Sequence, residues 1–183
     1  MRSRAVPGGH DQQAVVDRVK DQYWPGTLMG FGIFIALGSL FTVAPWTLID
    51  PGVLFRVFLV LCFAGNLLPY LRSGLWLGME RLEWFLFNLL AIGPIGTSGL
   101  LWINFLFHGP SVTTVHPVSE VIEERTIVTY VFGDDYLSGF PFARGMFRDM
   151  LTTTHAAQVR VTVAEGALGY GVVLRKEPLT SVR

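Results

Sequence analysis

Three apolar stretches fill most of residues 26–107, and each is long enough to change the solvent in which the chain must fold. Gly26–Ile49 and Trp84–Phe107 each run 24 residues without a charge, and Gly52–Tyr70 runs 19 residues with Arg56 alone. A hydrocarbon core about 30 Å thick needs about 20 helical residues. The lengths therefore predict a membrane α-helical fold with three transmembrane helices at 26–49, 52–70 and 84–107. Asp50-Pro51-Gly52 is a turn signal, so the first two should form a hairpin.

Charge follows the same division. Residues 22–107 hold six charged side chains, whereas residues 108–183 hold fifteen, eight acidic and seven basic. The zero net charge thus describes a membrane block joined to a balanced polar tail. The expected organisation is an N-terminal cytoplasmic or interfacial segment (1–25), the helical block (26–107), and an extracytoplasmic domain (108–183). Orientation comes from Arg2, Arg4, Arg18, Lys20, Arg72 and Arg81, which should share the cytoplasmic side, against Arg56 near the first hairpin. Size and compactness suggest a bacterial inner membrane. Asp11–Trp24 and Leu71–Glu83 each combine a few apolar residues with charges and read as interfacial segments.

The stretches differ in what they can pack against. Gly26-x-x-x-Gly30 and Gly32-x-x-x-Ala36 are small-residue spacings that let another helix approach closely. Arg56 lies about one turn inside the second stretch and can reach headgroups with its guanidinium. The third stretch contains Gly93-Pro94, where the missing N–H and the ring predict a kink. Asn88 and Asn104 are its amides, suited to interhelical hydrogen bonds or to a polar pathway beside the kink.

After His108-Gly109-Pro110 the pattern becomes β-like. Ile122–Phe132 reads as a strand, Gly133-Asp134-Asp135 as a turn, and Phe140–Thr152 as a helix with Pro141 in its first turn. Gln158–Val163 alternates cleanly, and Leu168–Arg175 returns as its partner after Glu165-Gly166. The prediction is a small α+β domain with a terminal β-hairpin.

Catalytic and metal signals are sparse. Cys62 is the single cysteine, which excludes an intrachain disulfide and a cysteine metal cluster. His10, His108, His116 and His155 sit in separate segments without metal-ligand spacing. Asp134-Asp135, followed by Tyr136 and Ser138, is a polar site candidate that resembles part of an oxygen-ligand loop but lacks the full calcium pattern. No nucleophile elbow, phosphate loop or nucleic-acid module occurs. No catalytic residue, metal ligand or cofactor is predicted. The expected partners are the bilayer and other membrane subunits or a second copy, not nucleic acid. The leading expectation is an accessory or scaffolding subunit. Alternatives are an oligomeric transport component using the third helix, or a membrane-bound enzyme with its site in the tail at Asp134, Asp135 or His155.

Overall fold

The computed structural model describes residues 23–67, 79–147 and 156–179. The expected interfacial helix at 11–24, most of the 71–83 segment, the end of the expected 140–152 helix, and His155 lie outside the described residues.

Helix α1 (Tyr23–Thr42) and helix α2 (Pro51–Leu67) are joined by a 3₁₀ turn, Ala44–Trp46, and strand β1 (Thr47–Leu48). Asp50 closes this connection, its Oδ1 accepting the Gly52 N–H at 2.7 Å and the Val53 N–H at 3.1 Å. Helix α3 runs Arg81–Leu106. Its first turn carries a capping box between Glu80 and Glu83. Pro94 does not break it. The segment Asn88–Ile92 is π-helical, with the Gly93 N–H donating to Asn88, and the helix continues as Gly93–Leu106. The wider turn contains Leu90, whose carbonyl Pro94 has no N–H to serve.

The fold is not a three-helix membrane protein with a small α+β tail. Among the described residues, only α1 and α3 are long and apolar enough to cross a membrane. The second stretch forms a 17-residue helix, about 26 Å at 1.5 Å per residue, and is a shorter apolar helix. The tail also departs from expectation, since the described residues form a six-stranded antiparallel sheet in the order β1-β6-β5-β2-β3-β4. Its other strands are β2 (His108–Glu123), β3 (Ile127–Phe132), β4 (Gly145–Phe147), β5 (Gln158–Gly166) and β6 (Gly171–Leu179). The stretch 122–132 therefore holds the end of β2, a turn and β3. Helix α4 covers only Pro141–Arg144, because Gly145 takes up extended backbone and leads into β4.

Strand β2 curls the sheet. Residues 108–117 pair with β5, and residues 118–123 pair with β3, with a register shift between Val118 and Glu120. A bulge of this kind bends a strand and increases its twist. The curl encloses a core of Val128, Tyr130, Phe132, Leu137, Ala143, Met146, Val159, Val161 and Val173, onto which Trp46 and Leu48 pack from the α1–α2 connection. Because β1 pairs with β6, that connection is part of the sheet. The ends of α1 and α3 and the start of α2 thus meet the sheet at one side, where Val43, Ile49 and Leu101 form a second core with Leu54, Phe105 and Tyr170.

Candidate functional site

Antiparallel pairing brings together side chains that are far apart in sequence. Residues 116 and 134 lie in β2 and just beyond β3, and the register that aligns Val118 with Phe132 sets them across from each other. His116 Nδ1 lies 2.6 Å from Asp134 Oδ2, and His116 Nε2 lies 2.7 Å from Thr114 Oγ1. In the tautomer that donates its Nδ1 hydrogen to the carboxylate, the Nε2 lone pair faces the threonine hydroxyl. Tyr136 stacks on the imidazole, ring centroids 3.6 Å apart and planes 3° from parallel, and Phe132 meets it edge-on at 6.0 Å.

The turn after β3 aims these groups. Asp135 and Leu137 adopt positive φ, 56° and 62°, a region costly for residues with a Cβ. Leu137 is buried in the sheet core, which holds the turn in place. Asp134 Oδ1 also accepts the Tyr136 N–H at 3.2 Å. The hydrogen bond from His116 holds the Asp134 carboxyl below the ordinary aspartate range. Its contribution is therefore complete at neutral pH and is lost as pH falls through that depressed value. Burial raises the Tyr136 phenol above its ordinary range, so it is a protonated donor at neutral pH.

Sequence reading placed Asp134 and Asp135 together as one polar site. The structure engages Asp134 and leaves Asp135 in the turn backbone, and it adds His116 and Thr114. The available signal was the near-equal spacing of 116 and 134 about a turn at 124–126. It was hidden because 122–132 read as one strand. Among the described residues no group of three or more His, Cys, Asp or Glu side chains is placed to hold a metal.

The residues singled out on the helices lie elsewhere. Asn88 is buried and donates Nδ2 to the Trp84 carbonyl at 2.8 Å. Asn104 is buried at the sheet end of α3, donating to the Tyr170 carbonyl at 3.1 Å and accepting the Leu168 N–H at 3.0 Å. Both amides therefore serve backbone partners. Gly93 packs against Cys62 and Phe58 of α2, and Gly32 against the backbone of Leu90 and Ala91, whereas Gly26 and Gly30 face open space. Ala36 and Pro94 line an apolar cavity of about 340 Å³ between the helices. Thr97, whose Oγ1 has no partner among the described residues, lines it too.

Among the described residues, Lys176 is the buried cation. Its Nζ donates to the carbonyls of Ala143 at 2.6 Å and Gly145 at 3.2 Å and sits 5.1 Å from the Trp46 ring centroid. This hangs the α4–β4 corner on β6. Burial lowers the Lys176 ammonium to about 8, although the two carbonyls favour the charged form. Above that value the unfolded chain still binds the proton that the folded chain releases, so stability rises with pH. Between pH 8 and pH 10 the rise should reach about 2 kcal/mol. Tyr130 and Tyr136, raised by burial, lose their contribution only above that window. Denaturant titrations at both pH values check this, and Lys176→Met should flatten the profile.

The chain matches no protein-family model, no curated protein and no solved structure.

Proposed function

We propose that the chain is a membrane-anchored accessory subunit that captures an extended segment of a partner protein along the free edge of β2. One observation carries this reading. Residues 108–117 of β2 pair with β5 on one side, and among the described residues no strand covers the other. Natural sheets blunt such edges with lysines, prolines and bulges. Here Ser111–His116 (SVTTVH) has no charge, Pro110 and Pro117 bracket it, and residues 108–115 are exposed on both faces. An uncharged window of β-branched residues, stopped at each end by proline, suits addition of one short strand.

The membrane anchor is read from α1 and α3. Only 22 % of the apolar window of α1 is buried, and Phe31, Phe34 and Phe41 are exposed along it, an arrangement costly in water and favourable in lipid. Basic residues at 2, 4, 18 and 20 precede α1 and favour a cytoplasmic N-terminus in a bacterial inner membrane. The expected partners are lipid and a second protein, not nucleic acid.

A photo-cross-linking residue at Val112, which is 67 % exposed, tests the docking edge in cells. The expected result is one discrete adduct to a different protein, lost on Val115→Lys and absent when the cross-linker is moved to Leu174 on β6. An adduct of two copies of the 20.3 kDa chain, or equal adducts at 112 and 174, would overturn it.

A further inference from the structure

We propose that Thr114, His116 and Asp134 form a base-activated hydroxyl, a nucleophilic centre at which Thr114 Oγ1 accepts an acyl group from an ester or thioester. This centre is independent of the docking edge, because its side chains project from the face of β2 and not along its rim.

The arrangement has the parts that nucleophilic catalysis requires: a hydroxyl within hydrogen-bond reach of a base, and a third group orienting that base. Thr114 Oγ1 is 2.7 Å from His116 Nε2, and Asp134 Oδ2 is 2.6 Å from Nδ1. The base is held more tightly than a surface histidine needs to be. Its side chain is 13 % exposed, clamped flat against Tyr136 and edge-on to Phe132. The nucleophile, in contrast, is exposed. A half-buried, oriented base beneath an accessible hydroxyl is the polarity a reactive site needs.

Register supplies the rest of the site. Thr114 opposes Val161 and His116 opposes Val159, and opposed residues share a sheet face. Both stand on the face that buries Val159 and Val161, just beyond the core. Val112, two residues along the same face, opposes Val163 and leaves its side chain open. That exposed apolar strip beside the hydroxyl suits a short aliphatic acyl chain. The Tyr136 phenol lies beside Thr114 and is kept protonated by burial. Once the threonine proton has passed to His116, that phenol is the neutral donor next to the reacting centre.

In the reaction, Oγ1 attacks the carbonyl carbon and an O–C bond forms. Its proton passes to His116 Nε2, leaving an imidazolium facing the Asp134 carboxylate. The bond to the alcohol or thiol then breaks, and the leaving group takes that proton. Water repeats the sequence on the acyl-threonine, its proton passing through His116 to Thr114, so that ester and water become acid and alcohol.

The full chain in mild detergent should be treated with an alkyl fluorophosphonate, which replaces its P–F bond with a bond to an activated hydroxyl. The expected result is a single adduct that peptide mass spectrometry places on Thr114. Thr114→Val should abolish it. His116→Gln should slow labelling about 100-fold or more, the usual contribution of a general base. Asp135→Asn, whose side chain lies outside the relay, should label at the wild-type rate. Thr114→Ser preserves the relay with a less hindered hydroxyl and should label at least as fast as wild type, which keeps the test decisive if His116→Gln does not fold. A folded wild type that gives no adduct at Thr114 overturns the proposal. So does equal labelling in folded His116→Gln, or an unreactive Thr114→Ser.

Discussion

Replacing Asn104 by Leu is expected to lower the unfolding midpoint by about 6–12 °C, corresponding to about 3 kcal/mol for a chain of this size. Leucine keeps the same branched outline and the same number of side-chain heavy atoms, so the main loss is of hydrogen bonds. Asn104 is the fastening between α3 and the β5–β6 turn, donating to Tyr170 and accepting from Leu168. Leucine removes both bonds and leaves a backbone carbonyl and an N–H facing an apolar group. Each such orphan costs about 1–3 kcal/mol. The same fastening excludes a side chain at Gly166, where an added methyl would overlap the Asn104 amide. Thermal unfolding in detergent measures the first effect. Limited proteolysis between Ala167 and Tyr170 should increase in parallel, since the turn would lose its anchor. A midpoint within one or two degrees of wild type would mean that Leu54, Leu101 and Tyr170 hold the junction without the amide.

Gly32→Val should cost about 3 kcal/mol or more, whereas Gly26→Ala and Gly30→Ala should be neutral or slightly stabilising. A Cβ on Gly32 would overlap the Leu90 carbonyl oxygen and stand 2.9 Å from the Ala91 Cα. Both are backbone atoms of α3, so no rotamer change relieves the contact and the helices must separate. Overpacking of this kind costs about 1–3 kcal/mol for small insertions and more where backbone must move. Leu90 is four residues before Pro94, which has no N–H to offer its carbonyl. The proline, the π-helical turn and the close approach of Gly32 are therefore one arrangement. Gly26 and Gly30 meet nothing within 4 Å, and alanine there gains about 0.5–1 kcal/mol of helix preference. Unfolding midpoints of the three variants, measured side by side, check the contrast. Equal losses at Gly30 and Gly32 would show that α1 packs on a different face.

Much of the helical architecture was legible because hydrophobic length is a local property. The extent of α3, the turn at Asp50, and the alternation of Val159 and Val161 in β5 could each be read from a short window, whereas α1 stops at Thr42 and not at Ile49 because the following residues turn and join the sheet. The paired glycines could not be ranked that way. Gly26-x-x-x-Gly30 and Gly32-x-x-x-Ala36 have the same spacing, and only the position of α3 separates a glycine in contact from one in open space. The second stretch shows the opposite error. Its 19 residues passed a length criterion, but among the described residues the helix covers Pro51–Leu67 and is a shorter apolar helix. In the tail, β2 was unreadable as a strand at 108–121 because exposed residues on both faces erase the period-two pattern on which strand reading depends.

The candidate site follows the same division. His116 and Asp134 were visible as polar residues near a boundary and a turn, with no reason in sequence to join them. Their contact depends on the register shift between Val118 and Glu120, and moving a strand by one residue sends every side chain to the other face. By itself, the sequence determined where apolar helices form and that the tail turns to β-structure, since burial demand and backbone preference act over a few residues. Only the tertiary structure decided that the α1–α2 connection joins the sheet, that Gly32 is the contact glycine, and that Thr114, His116 and Asp134 meet. Those outcomes depend on which surfaces remain to be paired once every element has formed, and no local window contains that information.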